Sequence, residues 1–256
     1  DLLVKLKMGM VEPDLVVDVK HIAKANEIQT TAKGFNIGAA VPGARLTDHK
    51  ALKKAWPGVV EAANLIGSDQ IQGRCTLAGN LCNASPAADS VPAMIAAGAK
   101  AVIVGAKKRR TVPVEKVAIG PGQTCLGSDE LIESIALPKP GPRTGDAYLR
   151  FIPRTEMDIA VVGVAVCVTL ERGRVKSARV ALGAVAPTAV LVPAAARAIV
   201  GTSLDDEALE KLSRACSAAC NPIDDKRGTV EYRTRLAGVL AKRAAKIAFL
   251  RAGGNS

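Results

Sequence analysis

An α+β fold is expected for this chain, on three observations. Short β-rich runs alternate with helical stretches up to Leu137, a proline-rich segment at Pro138-Lys139-Pro140-Gly141-Pro142-Arg143-Thr144-Gly145 interrupts both periodicities, and a long β hairpin followed by three helical segments fills the remainder. Prolines remove backbone donors and break helix and strand alike, so 138–145 reads as a linker between a first domain, 1–137, and a second, 146–256.

The elements follow in order. Asp1 to Lys7 begins on apolar structure with no helix start before it, Glu12-Pro13-Asp14 reads as a turn, and Leu15 to Val19 as a short strand. Ile28 to Thr31 and Phe35 to Ile37 form a hairpin around Lys33-Gly34, and a helix is expected to start near Thr47-Asp48. Trp56-Pro57-Gly58 separates two helical stretches, the second closed by Gly67-Ser68-Asp69, and Ile71 to Arg74 reads as an extended lead into Thr76. Val91 to Ala97 is an apolar helix for which Asp89-Ser90 offers a cap. Ala101 to Val104 is a buried strand, Lys107 to Arg110 a hairpin tip, Gly120 to Thr124 a rigid loop, and Leu131 to Leu137 a strand. Beyond the linker, Tyr148 to Ile152, Ile159 to Leu170 and Val175 to Val185 supply a small antiparallel sheet, with Glu171 to Arg174 as its turn. Ala194 to Val200, Asp205 to Ala219 and Tyr232 to Ala252 supply a three-helix bundle.

Composition narrows the function. The 256 residues include only three Phe, two Tyr and one Trp, so stacking platforms for single-stranded nucleic acid are nearly absent. The net charge of +11 arises mainly after Leu137: 16 Lys/Arg face 13 Asp/Glu up to that point, and 19 face 11 beyond it. The C-terminal basic residues are spread at helical spacing among Leu and Ala, a pattern that fits solvated helix faces or an acidic protein partner and no nucleic-acid site. Six cysteines form no paired ladder or metal knuckle, which points to free thiols in a reducing compartment. His21 and His49 stand apart from any nucleophile and read as surface residues. No apolar run reaches membrane-spanning length and no secretory leader is evident, so the expectation is a cytoplasmic protein, with peripheral association to a membrane left open.

The most informative stretch is Thr76-Leu77-Ala78-Gly79-Asn80 followed by Asn83-Ala84-Ser85-Pro86-Ala87-Ala88-Asp89. A hydroxyl, a glycine and an amide before an apolar helix suit a pyrophosphate, and Ser85 and Asp89 suit the hydroxyls of a sugar or ribityl chain. The same residues also suit an ordinary turn between strand and helix.

Taken with Gly120-Pro121-Gly122, Gly183-Ala184-Val185-Ala186-Pro187-Thr188, Asp225-Lys226-Arg227-Gly228 and Tyr232-Arg233 in this order, the chain resembles, end to end, the FAD-binding medium subunit of molybdenum hydroxylases. That group contains carbon monoxide dehydrogenase medium subunits and the flavin portion of xanthine dehydrogenase. The resemblance implies a two-subdomain FAD-binding domain, followed by the small sheet and helices. It implies that Thr76, Gly79 and Asn80 face the FAD pyrophosphate, that Ser85 and Asp89 lie near the ribityl or ribose hydroxyls, that Ile66 and Leu126 pack near the ring system, and that Arg150 approaches the isoalloxazine. It places no catalytic residue and no metal in this chain.

The partners it implies are a large subunit carrying a molybdenum cofactor and a small subunit carrying two [2Fe-2S] clusters, assembled as a dimer of heterotrimers in which FAD passes electrons to an external acceptor. A non-redox structural subunit of the same kind of complex is the second reading. Two departures from the family pattern bear on FAD: Ala78 stands where a glycine is usual, placing a methyl in a tight loop, and the first glycine-rich loop expected immediately before Asp1 is not in the sequence.

Overall fold

The structure is a computed structural model describing residues 1–155 and 157–254. In the first part, helix α1 (Leu2–Lys7) precedes strands β1 (Ile28–Thr31) and β2 (Gly34–Gly38), then helices α2 (Gly43–Asp48), α3 (Lys50–Ala55), α4 (Pro57–Asn64), α5 (Asp69–Gln72), α6 (Leu77–Cys82) and α7 (Ser90–Ala96). Strands β3 (Lys100–Val104), β4 (Arg109–Pro113), β5 (Ala118–Gly120), β6 (Gln123–Thr124) and β7 (Leu131–Pro138) complete it. The second part has strands β8 (Thr144–Phe151), β9 (Val162–Glu171), β10 (Arg174–Gly183) and β11 (Val190–Leu191), then helices α8 (Pro193–Ile199), α9 (Asp206–Ala218) and α10 (Val230–Arg251).

Two antiparallel sheets organise the chain: five strands in the order β1-β2-β7-β3-β4, and four in the order β11-β10-β9-β8. The second sheet is covered on both faces, by α7 on one and by α8 and α10 on the other. Strand β9 is therefore buried along nearly its whole length rather than on alternate residues. Its period of two still sorts the side chains: Ala165 and Cys167 enter the core of the first part, while Val164, Val166 and Val168 enter that of the second.

Polar ties cross the seam between the parts. Asp146 of β8 accepts the Val59 N–H at the start of α4 (3.2 Å), and Arg251 of α10 donates to the Asp146 carbonyl (2.9 Å) and pairs with Glu61 of α4 (2.5 Å). Within the first part, the Trp56 indole donates to the Pro138 carbonyl at the end of β7 (2.8 Å). Arg179 of β10 donates to the Ile95 carbonyl at the end of α7 (3.0 Å) and pairs with Glu115 (3.0 Å).

Several expected elements differ. Leu15–Val17 form no strand: among the described residues no segment offers their backbone a ladder, and their side chains, like those of Leu2 to Val4, face water. A strand exists only where a partner completes its hydrogen bonds. Thr47 and Asp48 end α2 rather than start a helix; the cap of the following helix is the His49 ring, whose Nδ1 accepts from Leu52 N (3.1 Å). That role, with an edge-on contact to Phe35, makes His49 half-buried rather than a free surface residue. The segment expected as an extended lead at 71–74 begins inside the short helix α5, because Gln72 turns inward and its amide donates to the Ile66 carbonyl. Arg109 and Arg110 already belong to β4, and the loop at 120–124 is the turn of the β5–β6 hairpin.

Candidate functional site

Thr76 is the cap of α6: its Oγ1 accepts from Gly79 N at 2.8 Å. A β bridge between Thr76 and Pro42, and the Gly43 N–H donating to the Cys75 carbonyl (2.8 Å), pin the helix start beside the loop that precedes α2. Gly79 is exposed, and a Cβ there would come within 3.0 Å of Thr76 Oγ1, so a glycine keeps the approach to the helix start open. Ala78, in contrast, is buried in the first core, so its methyl faces inward and does not intrude on that approach.

Asn80 lies one turn further on. Its Oδ1 accepts from both the backbone N–H (3.2 Å) and the hydroxyl (2.6 Å) of Ser90, capping α7 in place of the expected Asp89. The Asn80 amide nitrogen makes no protein hydrogen bond among the described residues. Ala84, with φ of 48°, bends the chain between the two helices, and its carbonyl accepts from Gly122 N (3.0 Å). Ser85 follows on this bend; its Oγ accepts from Ala87 N (3.3 Å), and Ser85 to Ala87 form one wall of a cavity of about 350 Å³ shared with Pro121, Ile159, Ala160 and Ala184.

Asp89 is relieved of capping because β8 claims its carboxylate. Tyr148 donates its hydroxyl to Oδ1 (2.9 Å), and Arg150 donates to Oδ2 (2.7 Å). The pair is almost dry, the Arg150 side chain being 7% exposed and that of Asp89 10%. Burial pushes the Asp89 carboxyl up to about 6, against the opposing pull of Arg150 and the Tyr148 hydroxyl; burial also holds the Tyr148 phenol well above its usual range.

Of the residues singled out in the sequence, six thus form one connected run. Thr76 and Gly79 open α6, Asn80 joins it through Ser90 to Asp89, Asp89 holds Arg150, and Ser85 lies on the intervening bend. Ile66 and Leu126 are half-buried and stand apart from this run, Ile66 following α4 and Leu126 following β6, the latter packed on the first core. Tyr148 escaped the sequence reading, although it stands two residues from Arg150 on one strand and so shares its face. Ser90 enters that reading only as a cap, with Asp89, for the helix that follows; its hydroxyl and N–H on Asn80 were not foreseen.

A helix start beside a bare glycine, with an amide donor left over, suits an anion as well as a turn of the chain. With a buried carboxylate and arginine joining the start of α7 to β8, the class is that of an α+β protein. The family described as FAD binding domain in molybdopterin dehydrogenase matches residues 1–140, and that described as CO dehydrogenase flavoprotein C-terminal domain matches residues 147–248. The chain belongs to this family of FAD-binding flavoprotein subunits of molybdopterin dehydrogenases.

Relatives agree along nearly the whole length. The carbon monoxide dehydrogenase medium chain of Hydrogenophaga pseudoflava is 31% identical over 250 residues, 98% of this chain and 87% of that protein. The xanthine dehydrogenase FAD-binding subunit of Escherichia coli O157:H7 is 28% identical over 241 residues, 93% of this chain and 82% of that one. Among solved structures, carbon monoxide dehydrogenase from Hydrogenophaga pseudoflava superposes with a TM-score of 0.93 at 32% identity, over 98% of this chain and 87% of that chain. Quinoline 2-oxidoreductase from Pseudomonas putida 86 superposes with a TM-score of 0.90 at 25% identity, with the same coverage of each chain. The protein is accordingly a flavoprotein component of a multi-subunit oxidoreductase and not a complete enzyme alone. Among the described residues no helix is long and apolar enough to cross a membrane.

Proposed function

We propose that this chain holds FAD at the start of α6 and relays electrons within a complex that includes a large molybdenum-binding subunit and a small subunit with two [2Fe-2S] clusters, arranged as a dimer of heterotrimers. The observation that carries the reading is Asn80, which spends its oxygen on Ser90 and keeps its amide donor free beside the bare Gly79. The residues present suit the cofactor chemically: N–H groups and an amide for a pyrophosphate, and a hydroxyl at Ser85 for the chain between phosphate and ring. When bound, FAD supplies the redox chemistry, accepting electrons from the clusters and releasing them to an external acceptor.

This chain's own residues bind, orient and insulate. Thr76 and Gly79 keep the helix start open, Asn80 couples it rigidly to α7, and Ser85 to Ala87 wall the cavity on the following bend. Asp89 and Tyr148 fix Arg150 in a low-dielectric place, where a cation stabilises negative charge nearby more strongly than it would in water. Ile66 and Leu126 belong to the same proposal as apolar neighbours of the ring.

Asn80→Asp provides the test, since it keeps the oxygen that caps α7 and replaces the donor with a carboxylate oxygen. We expect the purified complex to lose flavin absorbance, with affinity down about tenfold or more, while thermal stability changes by less than about 1 kcal/mol. A variant that retains stoichiometric flavin would end this reading of Asn80. A wild-type complex that assembles without flavin would instead favour the structural-subunit role.

A further inference from the structure

Helix α10 carries six basic residues and one acidic residue in 22 positions. Three of the six are spent inside the protein: Arg233 pairs with Asp225 (2.6 Å), Lys242 with Glu210 (2.5 Å) and Arg251 with Glu61 (2.5 Å). Arg235, Arg243 and Lys246 are exposed and make no ion pair among the described residues. At 100° per residue they share one stripe with Tyr232, Val239 and Leu250, running about 27 Å along the outside of the molecule.

Two further features lie on this stripe. Tyr232, 43% exposed, stands at one end, and it is the one exposed aromatic of the six in the sequence, the others being buried or half-buried. At the other end, Lys246, Phe249 and Leu250 line a cavity of about 450 Å³ closed by Leu204, Leu209 and the first turn of α9. Asp205 and Asp206 form its far wall, Asp205 being committed to capping Ala208 N (2.9 Å). Exposed tyrosine and arginine on a stripe that ends at an apolar pocket are the residue types that dominate protein interfaces.

We propose that the outer face of α10 is a docking surface for an acidic protein surface, with carboxylates set against Arg235, Arg243 and Lys246 and an apolar side chain seated in the cavity by Leu250. Charge complementarity selects this occupant. A lipid surface is a poorer match, because the apolar face of α10, from Ala237 through Leu240, Ala244 and Ala248, is already buried under the second sheet and leaves nothing continuous to enter a bilayer. The inference rests on the proposed function only in requiring that the chain work inside an assembly.

The test uses the complex purified through a tag on this chain. Acetic anhydride labels lysines and phenylglyoxal labels arginines, and rates are compared between the complex and the isolated chain. We expect Arg235, Arg243 and Lys246 to react about fivefold or more slowly in the complex, with Lys107 and Lys108 at the distant hairpin tip unchanged. The triple variant R235E/R243E/K246E should assemble at least about tenfold more weakly, increasingly so at low salt, while the isolated variant melts as the wild type does and binds as much flavin. Equal labelling in both states would overturn the proposal, as would assembly of the triple variant at wild-type strength. Binding to phosphatidylserine vesicles that the triple variant loses, without protection in the complex, would transfer the surface to lipid. A tagged chain that recovers no partner at all would remove the assembly reading and this inference together, whereas partners recovered with α10 still fully reactive would remove the inference alone.

Discussion

Asp89 and Arg150, 61 residues apart in sequence, meet at 2.7 Å in a nearly dry pocket, with Tyr148 completing the carboxylate's coordination. Cutting one partner from such a pair leaves an uncompensated buried charge, which costs about 3–5 kcal/mol. Arg150→Ala should therefore destabilise the protein by about that amount at pH 7.5. The loss should shrink at pH 5, because the abandoned Asp89 carboxyl, already pushed up to about 6 with its arginine present, rises further and becomes neutral there. Urea unfolding at the two pH values checks this, and an equal loss at both would show that Asp89 is not the group left stranded.

A second buried carboxylate reports on the seam. Asp146 has one oxygen on Val59 N and the other buried without a partner among the described residues, and burial pushes its carboxyl up to about 6. A raised folded-state value means that the folded protein binds more protons than the unfolded chain between about pH 4 and 6, so this group favours folding at low pH and opposes it progressively as pH rises through that window. Asp146→Asn keeps an acceptor for Val59 and removes the charge. It should stabilise the protein by about 1–3 kcal/mol at pH 7.5 and by about a third of that at pH 4.5. Denaturant midpoints at both values decide it; stabilisation of the same size at each pH would exclude a titration effect.

Local signals carried most of the architecture from sequence: the Lys33-Gly34 hairpin, the Trp56-Pro57 break and the three C-terminal helices are each announced by their own residues. Features that depend on distant chain were not legible. Nothing near Leu15 states whether a neighbouring strand exists to pair with it, and nothing near Asp89 states that Tyr148 and Arg150 will draw its carboxylate away from the helix it precedes. The site residues fall under the same rule. Thr76 and Gly79 act within one helical turn and could be read as a unit, whereas the division of Asn80 between Ser90 and a free donor exists only after α6 and α7 have docked.

The contact between β8 and α10 sets a steric limit. A Cβ built on Gly145 would overlap the Ala248 carbonyl oxygen and lie about 2.5 Å from the Ala252 nitrogen, and both are backbone atoms that cannot swing aside. Gly145→Ala should cost about 3 kcal/mol or more, the upper end of overpacking, and lower the melting temperature sharply. Gly122→Ala provides the comparison: none of the described residues comes within 4 Å of its Cβ, but its φ of 70° still strains an alanine, for a loss of about 1 kcal/mol. Reversal of this order in thermal melts would contradict the packing of β8 on α10.

Ala78 links the sequence departure to a measurable outcome. Its methyl lies in the first core at the start of α6, away from the exposed Gly79 beside it. Ala78→Gly restores the residue usual in the family at that position, and if the methyl obstructed the cofactor it would tighten FAD binding. The burial argues otherwise: removing the methyl loses buried apolar surface and adds backbone entropy to a helix, together about 1–2 kcal/mol of stability. We expect a lower melting temperature with no gain in flavin affinity, measured by titrating FAD into the flavin-stripped complex. Affinity raised several-fold would mean that the methyl faces the cofactor after all.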